Sequence, residues 1–242
     1  METNNSRQAA WVAMGSLFSF GFSIVSSMIL SRYFDKADYG TYKQVMYVYN
    51  TLLTVFTLGL PKAYSYFLPR VNPQEAKDLI NKITRLFFHF RRGIFHSIDF
   101  LGGFFNSSIP QKIRIWKIAL RYFSLVPFLM LPTMGLEGIL STYKKTKFLA
   151  GYTITTRLFM LCCVALPVMI FNLDYIGAII GFVIASIFSA FLALYLKVYP
   201  VRNNIKNRTQ TSYKEIFQFS LPLMYASLWG VLMSSADQFF HK

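Results

Sequence analysis

The sequence predicts an all-α fold, a polytopic transmembrane helical bundle of about seven spans. Three observations carry that prediction. Of 242 residues, 54% are hydrophobic and 18% aromatic, above the roughly 45–50% apolar content of soluble domains, and the mean hydropathy is +0.40. Apolar runs recur along the chain at lengths near the roughly 20 residues that a helix rising about 1.5 Å per residue needs to cross a bilayer core of about 30 Å. The 25 lysines and arginines, against 10 acidic residues, fall between those runs rather than along one polar face. That distribution reads as membrane topology with attraction to anionic lipid, and it argues against a nucleic-acid partner.

The first span, Gln8 to Ser31, contains no charge, and its apolar run is too long for a signal peptide. The second, Gln44 to Pro61, reaches Lys62 only past Gly59 and Pro61, residues that can open a helix. The third, Leu86 to Phe105, is degenerate, because it holds His89, Arg91, Arg92, His96 and Asp99. A central Arg or Asp costs roughly 2.5–3.5 kcal/mol on insertion. The fourth, Ile118 to Leu140, carries Arg121 and Glu137, and its Pro127, Pro132 and Gly135 predict a kink. The fifth, Phe148 to Phe171, carries Arg157, while the sixth, Tyr175 to Leu196, and the seventh, Ile216 to Ala236, carry no charge. Cys162 and Cys163 are neighbours in the fifth span with no other cysteine to pair with, and read as small apolar fillers.

Loop charges test the third crossing. With the N-terminus inside and seven crossings, the inside segments hold Arg7, Arg70, Lys77, Lys82, Arg85, Lys144, Lys145, Lys147, Lys197, Arg202, Lys206, Arg208 and Lys214. The outside loops hold only Arg32, Lys36, Lys43, Lys112, Arg114 and Lys117. Omitting the third crossing flips everything after it and leaves the two sides nearly equal, so only the seven-span layout has the expected cytoplasmic bias. Within that span His89, Arg92, His96 and Asp99 share an arc of about 80° at about 100° per residue, a stripe suited to relaying protons or holding phosphate. Arg91 lies outside the arc, and a polar run follows from Asn106 to Lys117. Together these favour a disrupted span, the trace of a shifted and later restored reading frame.

The stretch from Leu30 to Phe67, "LSRYFDKADYGTYKQVMYVYNTLLTVFTLGLPKAYSYF", resembles the start of the bacterial polysaccharide or oligosaccharide flippases of the multidrug/oligosaccharidyl-lipid/polysaccharide exporter superfamily. Arg32, Asp38, Tyr39, Gly40, Leu58, Gly59 and Leu60 stand at the matching positions. Leu136 to Phe148 is similar to that family's fourth span and following basic loop. Phe219 to Phe240 is similar to its seventh span, with Pro222 near the start and Asp237 at the end. The resemblance implies a bacterial inner-membrane protein of about 12–14 helices in two related halves that moves lipid-diphosphate-linked sugars outward. It needs no cofactor. Residues 1–215 would form the first six-helix repeat and residues 216–242 would open the second, an arrangement echoed by "FGFSIVSS" (Phe20 to Ser27) and "LWGVLMSS" (Leu228 to Ser235). The expectation is a multi-pass protein with a cytoplasmic N-terminus, half of a transporter, inactive alone unless a second chain supplies the other half.

A lipid-linked oligosaccharide diphosphate is a large anion, and moving it through a bilayer needs cationic groups in a water-filled cavity. Lys62 is one candidate, with Tyr64 and Tyr66 to stack on sugar and donate hydrogen bonds; its alternative is a lysine snorkelling from a span end. Arg157 lies about 13 Å into the fifth span by helical rise, so it needs a partner or a cavity. Glu137 can pair with it and hold the bundle together, Arg157 can instead contact the substrate, or both charges can sit at span ends. Arg121 is a third cation for the diphosphate. Asp237 is a coupling-site candidate or a helix-end charge. The sequence shows no hydrolase triad, metal-ligand spacing or phosphate-cradling glycine loop. A membrane polysaccharide polymerase or ligase is the enzymatic alternative, disfavoured by short outside loops, and a non-functional remnant is the other.

Overall fold

The computed structural model describes residues 2–57, 59–89, 130–202 and 207–240. Helix α1 runs Glu2–Tyr33, α2 Lys36–Phe56, α3 Leu60–Phe67, α5 Leu136–Thr142, α6 Thr146–Phe171, α7 Tyr175–Val198 and α8 Tyr213–Phe240; between α3 and α5, residues 76–89 form α4. Among the described residues no strand occurs. Three helical stretches are long and apolar enough to cross a membrane, Asn5–Tyr33, Thr146–Phe171 and Tyr175–Val201, and they correspond to the first, fifth and sixth expected spans.

The second expected span is broken in two. Gly59 takes a left-handed backbone (φ 68°) between α2 and α3, and Pro61 follows in the first turn of α3, where its missing N–H costs nothing. The described part of the fourth span is broken in the same way. A 3-10 turn, Leu131–Thr133, leads to Gly135 (φ 82°), which starts α5. Of the third span, only residues 86–89 are described, and they lie in α4; Arg91, Arg92, His96 and Asp99 lie outside the described residues, as does Arg121.

Small residues set the helix crossings. A Cβ on Gly15 of α1 would stand 3.0 Å from the Cα of Ala150 on α6, and one on Gly181 of α7 would clash with the Cys163 carbonyl on α6. The buried face of α7 continues this pattern with Ala178, Ala185, Ser189 and Ala193. Without a hydrophobic drive between helices in lipid, such residues let backbones approach and gain dispersion contacts. In α4, by contrast, Ala76, Leu79, Ile80, Ile83 and Phe87 are buried at helical spacing while Lys77 and Asp78 are only partly buried. That amphipathic pattern makes a helix of residues expected to be loop.

The segment between α7 and α8 straps α4. Thr209 N–H donates to Asp78 Oδ2 (3.2 Å), Lys82 Nζ to the Thr211 carbonyl (2.7 Å), Lys77 Nζ to the Arg202 carbonyl (3.2 Å) and Asn207 Nδ2 to Gln74 Oε1 (2.8 Å). Two segments that the charge count puts on one side of the membrane therefore touch each other.

Candidate functional site

A cavity of about 1720 Å³ opens between α1, α2, α3, α5, α6 and α7. Its charged lining residues among those described are Lys43, Lys62, Glu137 and Arg157. Gly135, just before α5, and Gly138 within it bring α5 against α3. A Cβ on Gly135 would clash with the Tyr64 ring, and one on Gly138 would stand 2.5 Å from Ser65 Oγ, so only glycine lets α5 lie this close to α3. The close approach puts Lys62 of α3 and Glu137 of α5 onto one cavity.

Each cation is exposed to the cavity to a different degree of engagement. Lys62 is exposed, and its ammonium has no partner among the described residues. Arg157 is also exposed; its Nη1 lies 4.0 Å from Met160 Sδ, and no ion pair joins it to Glu137. Lys43 donates to Ser27 Oγ at 2.9 Å and stands 5.2 Å from the Tyr39 ring. Among the described residues one carboxylate therefore faces three cations, so their part of the charged lining is net positive.

The remaining lining mixes hydroxyls and amides with apolar groups. Ser23, Ser26 and Ser27 of α1 face Tyr47 and Asn50 of α2, at spacings that keep each set on one helical face. Tyr152 donates weakly to the Ser189 carbonyl (3.5 Å), and Ser186 Oγ, fully buried at the wall, has no hydrogen-bond partner among the described residues. No group of three metal-ligating side chains occurs among the described residues.

The other candidate residues sit elsewhere. Tyr64 is fully buried, with its hydroxyl 2.9 Å from Thr84 Oγ1. Tyr66 stacks on Phe219 (4.1 Å between centroids) beneath the Arg70 guanidinium. Neither lines the cavity. Asp237 lies on α8, where its side chain is outside the described set. The sequence places Lys43 and Lys197 only among the loop charges. For Lys43 a signal existed, since Lys43, Met46, Tyr47 and Asn50 repeat at one helical face. For Lys197 the sequence offers none: it ends an apolar run, yet it is 2% exposed, with Nζ donating to the Met134 carbonyl (3.2 Å) and lying 4.4 Å from the Tyr64 ring centroid.

Comparison with known proteins bears on the whole architecture. A search of curated proteins finds no match. Among solved structures, a MOP superfamily transporter from Pyrococcus furiosus aligns with TM-score 0.70 at 14% identity over 98% of this chain and 54% of that one. An outward-facing multidrug resistance MATE family transporter of the same superfamily aligns with the same values. A MATE protein in complex with MaD5 aligns with TM-score 0.66 at 15% identity over 97% of this chain and 55% of its own. The chain thus has the fold of these multi-pass membrane proteins and spans about half their length. The family model described as polysaccharide biosynthesis protein matches residues 6–242, and with nearly every helix inside that match, the chain belongs to the polysaccharide biosynthesis protein family.

Proposed function

We propose that this chain forms the cavity-bearing half of a membrane transporter whose cargo is an oligosaccharide linked through diphosphate to undecaprenol, flipped across the inner membrane for surface polysaccharide assembly. The observation that carries this reading is the meeting of Lys62, Arg157 and Lys43 on one cavity with a single described carboxylate, Glu137. A positive surplus in a low-dielectric wall favours a diphosphate, and exposed rather than paired cations can release it again. At about 1720 Å³ the cavity exceeds the roughly 300–1,000 Å³ of ordinary small-molecule sites, in keeping with a bulky cargo. For the Pyrococcus furiosus relative, reversed polarity of the binding pocket suggests a different function, so pocket polarity is the property to compare.

In this reading Lys62 and Arg157 meet the diphosphate, with Arg121 as a further candidate. Tyr47, Asn50 and the α1 serines meet sugar hydroxyls. Tyr64 and Tyr66, away from the cavity, would reach sugar only in another conformation of the bundle. Glu137 limits how tightly the anion is held, and Asp237 remains the candidate for ion coupling. The inner membrane and a cytoplasmic N-terminus complete the proposal. In an active full-length relative carrying these residues, Lys62→Ala reduces surface polysaccharide at unchanged protein level; normal export would remove Lys62 from the role.

A further inference from the structure

Three of the chain's methionines and Leu53 gather on one side of the cavity. Met46 of α2, Met130 before the 3-10 turn and Met160 of α6 all line it, and all pack, with Leu53, on the single apolar cluster that contains Val164 and Phe182. Each of these three methionines is only half-buried. The patch adjoins the cationic site directly, since Met160 Sδ lies 4.0 Å from Arg157 Nη1, and on α6 the cavity-facing series Arg157, Met160, Leu161 and Val164 follows helical spacing.

An apolar floor that starts at a guanidinium has the shape of an amphiphile, a phosphate followed by hydrocarbon. Methionine suits a flexible chain better than leucine or valine, because its unbranched, polarizable side chain repacks around irregular apolar shapes at little cost. The cavity's serines, asparagine and remaining lysines lie largely on α1, α2 and α3. Met46 and Leu53 share α2 with Lys43, Tyr47 and Asn50, so the apolar patch and the polar lining meet along that helix.

We propose that the surface formed by Met46, Leu53, Met130 and Met160, backed by the buried Val164 and Phe182, binds the first isoprene units of the lipid carrier, with the carrier's phosphate at Arg157. The inference rests on the proposed cargo and adds that the proximal tail enters the cavity with the headgroup instead of staying wholly in the bilayer.

The test uses the full chain in nanodiscs. Equilibrium binding is measured for inorganic diphosphate, farnesyl diphosphate and geranylgeranyl diphosphate, with dioleoyl phosphatidate as an acyl-chain control. Longer chains also partition into the bilayer, so the quantity read is the isoprenyl-to-inorganic affinity ratio, compared between the wild type and its variants. Each buried methylene contributes about 0.8 kcal/mol, so loss of contact with even one isoprene unit lowers the ratio by at least about tenfold. Met46→Gln combined with Met160→Gln is expected to lower the ratio by that order. The volume-matched, apolar Met46→Leu with Met160→Leu keeps it within about threefold, which separates a lost apolar surface from a damaged fold.

An unchanged ratio in the glutamine variant, with inorganic diphosphate still bound, overturns the tail site while leaving the cationic site standing. Retention of dioleoyl phosphatidate as tight as geranylgeranyl diphosphate, and equally sensitive to the substitutions, overturns assignment to the isoprenyl carrier. Failure of the wild type to bind inorganic diphosphate at all strikes the proposed cargo itself.

Discussion

Two cationic regions lie a short distance apart in this bundle, and they use their charges in opposite ways. At the junction of α3, α4, α5 and α7, Lys197 is enclosed, donating to the Met134 carbonyl with the rings of Tyr64 and Phe87 against its ammonium. Tyr64 in turn reaches Thr84 of α4, whose hydroxyl also donates to the Ile80 carbonyl. In the cavity, Lys62 and Arg157 stand exposed with no ion pair to Glu137. The first charge is consumed by the fold; the second pair is held available. Charged side chains in a membrane bundle are costly wherever they sit, so the useful distinction is whether neighbouring groups already satisfy them.

The largest effect expected on the enclosed side comes from Gly135→Ala. It adds a Cβ into the Tyr64 ring at a left-handed backbone position, and about 3 kcal/mol or more is lost. Size-exclusion chromatography in detergent should show little monodisperse protein, and a normal profile would mean the junction is looser than described. Next, Lys197→Ala leaves a void between two rings and an unsatisfied carbonyl, costing about 2–4 kcal/mol. Lys197→Met keeps most of the volume and should recover roughly half of that in a thermal-melt assay. Equal damage from both variants would assign the whole effect to the lost hydrogen bond.

Tyr64→Phe is milder. Thr84 keeps its bond to Ile80, so about 1 kcal/mol is expected, seen as a small decrease in melting temperature. Smallest of all, Arg157→Gln and Lys62→Gln should change stability by less than about 0.5 kcal/mol, as exposed substitutions without packed partners usually do. Those same variants should lose diphosphate binding. A melting temperature lowered by Arg157→Gln as far as by Lys197→Ala would erase the contrast between the two regions.

The positions of the long apolar helices were legible because bilayer thickness imposes a length on an uncharged run, and α1, α6 and α7 fall where Gln8, Phe148 and Tyr175 begin such runs. Gly59 with Pro61, and Gly135, marked the two breaks, since few other residues tolerate those backbone angles. Lys62, Arg157 and Glu137 could be singled out as charges in costly places. The helical nature of residues 76–89 was written in their apolar spacing but hidden by their basic composition.

The sequence by itself determined that the chain is a bundle of membrane helices with its breaks at two glycines, because span length and backbone sterics are local properties. Only the tertiary structure decided that Lys62, Glu137 and Arg157 share a cavity, that Tyr64 and Lys197 are enclosed together, and that Met46 and Met160 rest on one floor. These relations depend on which helix faces meet, and facing is set by small residues such as Gly138 and Gly181 in close contact with Ser65 and Cys163 of neighbouring helices.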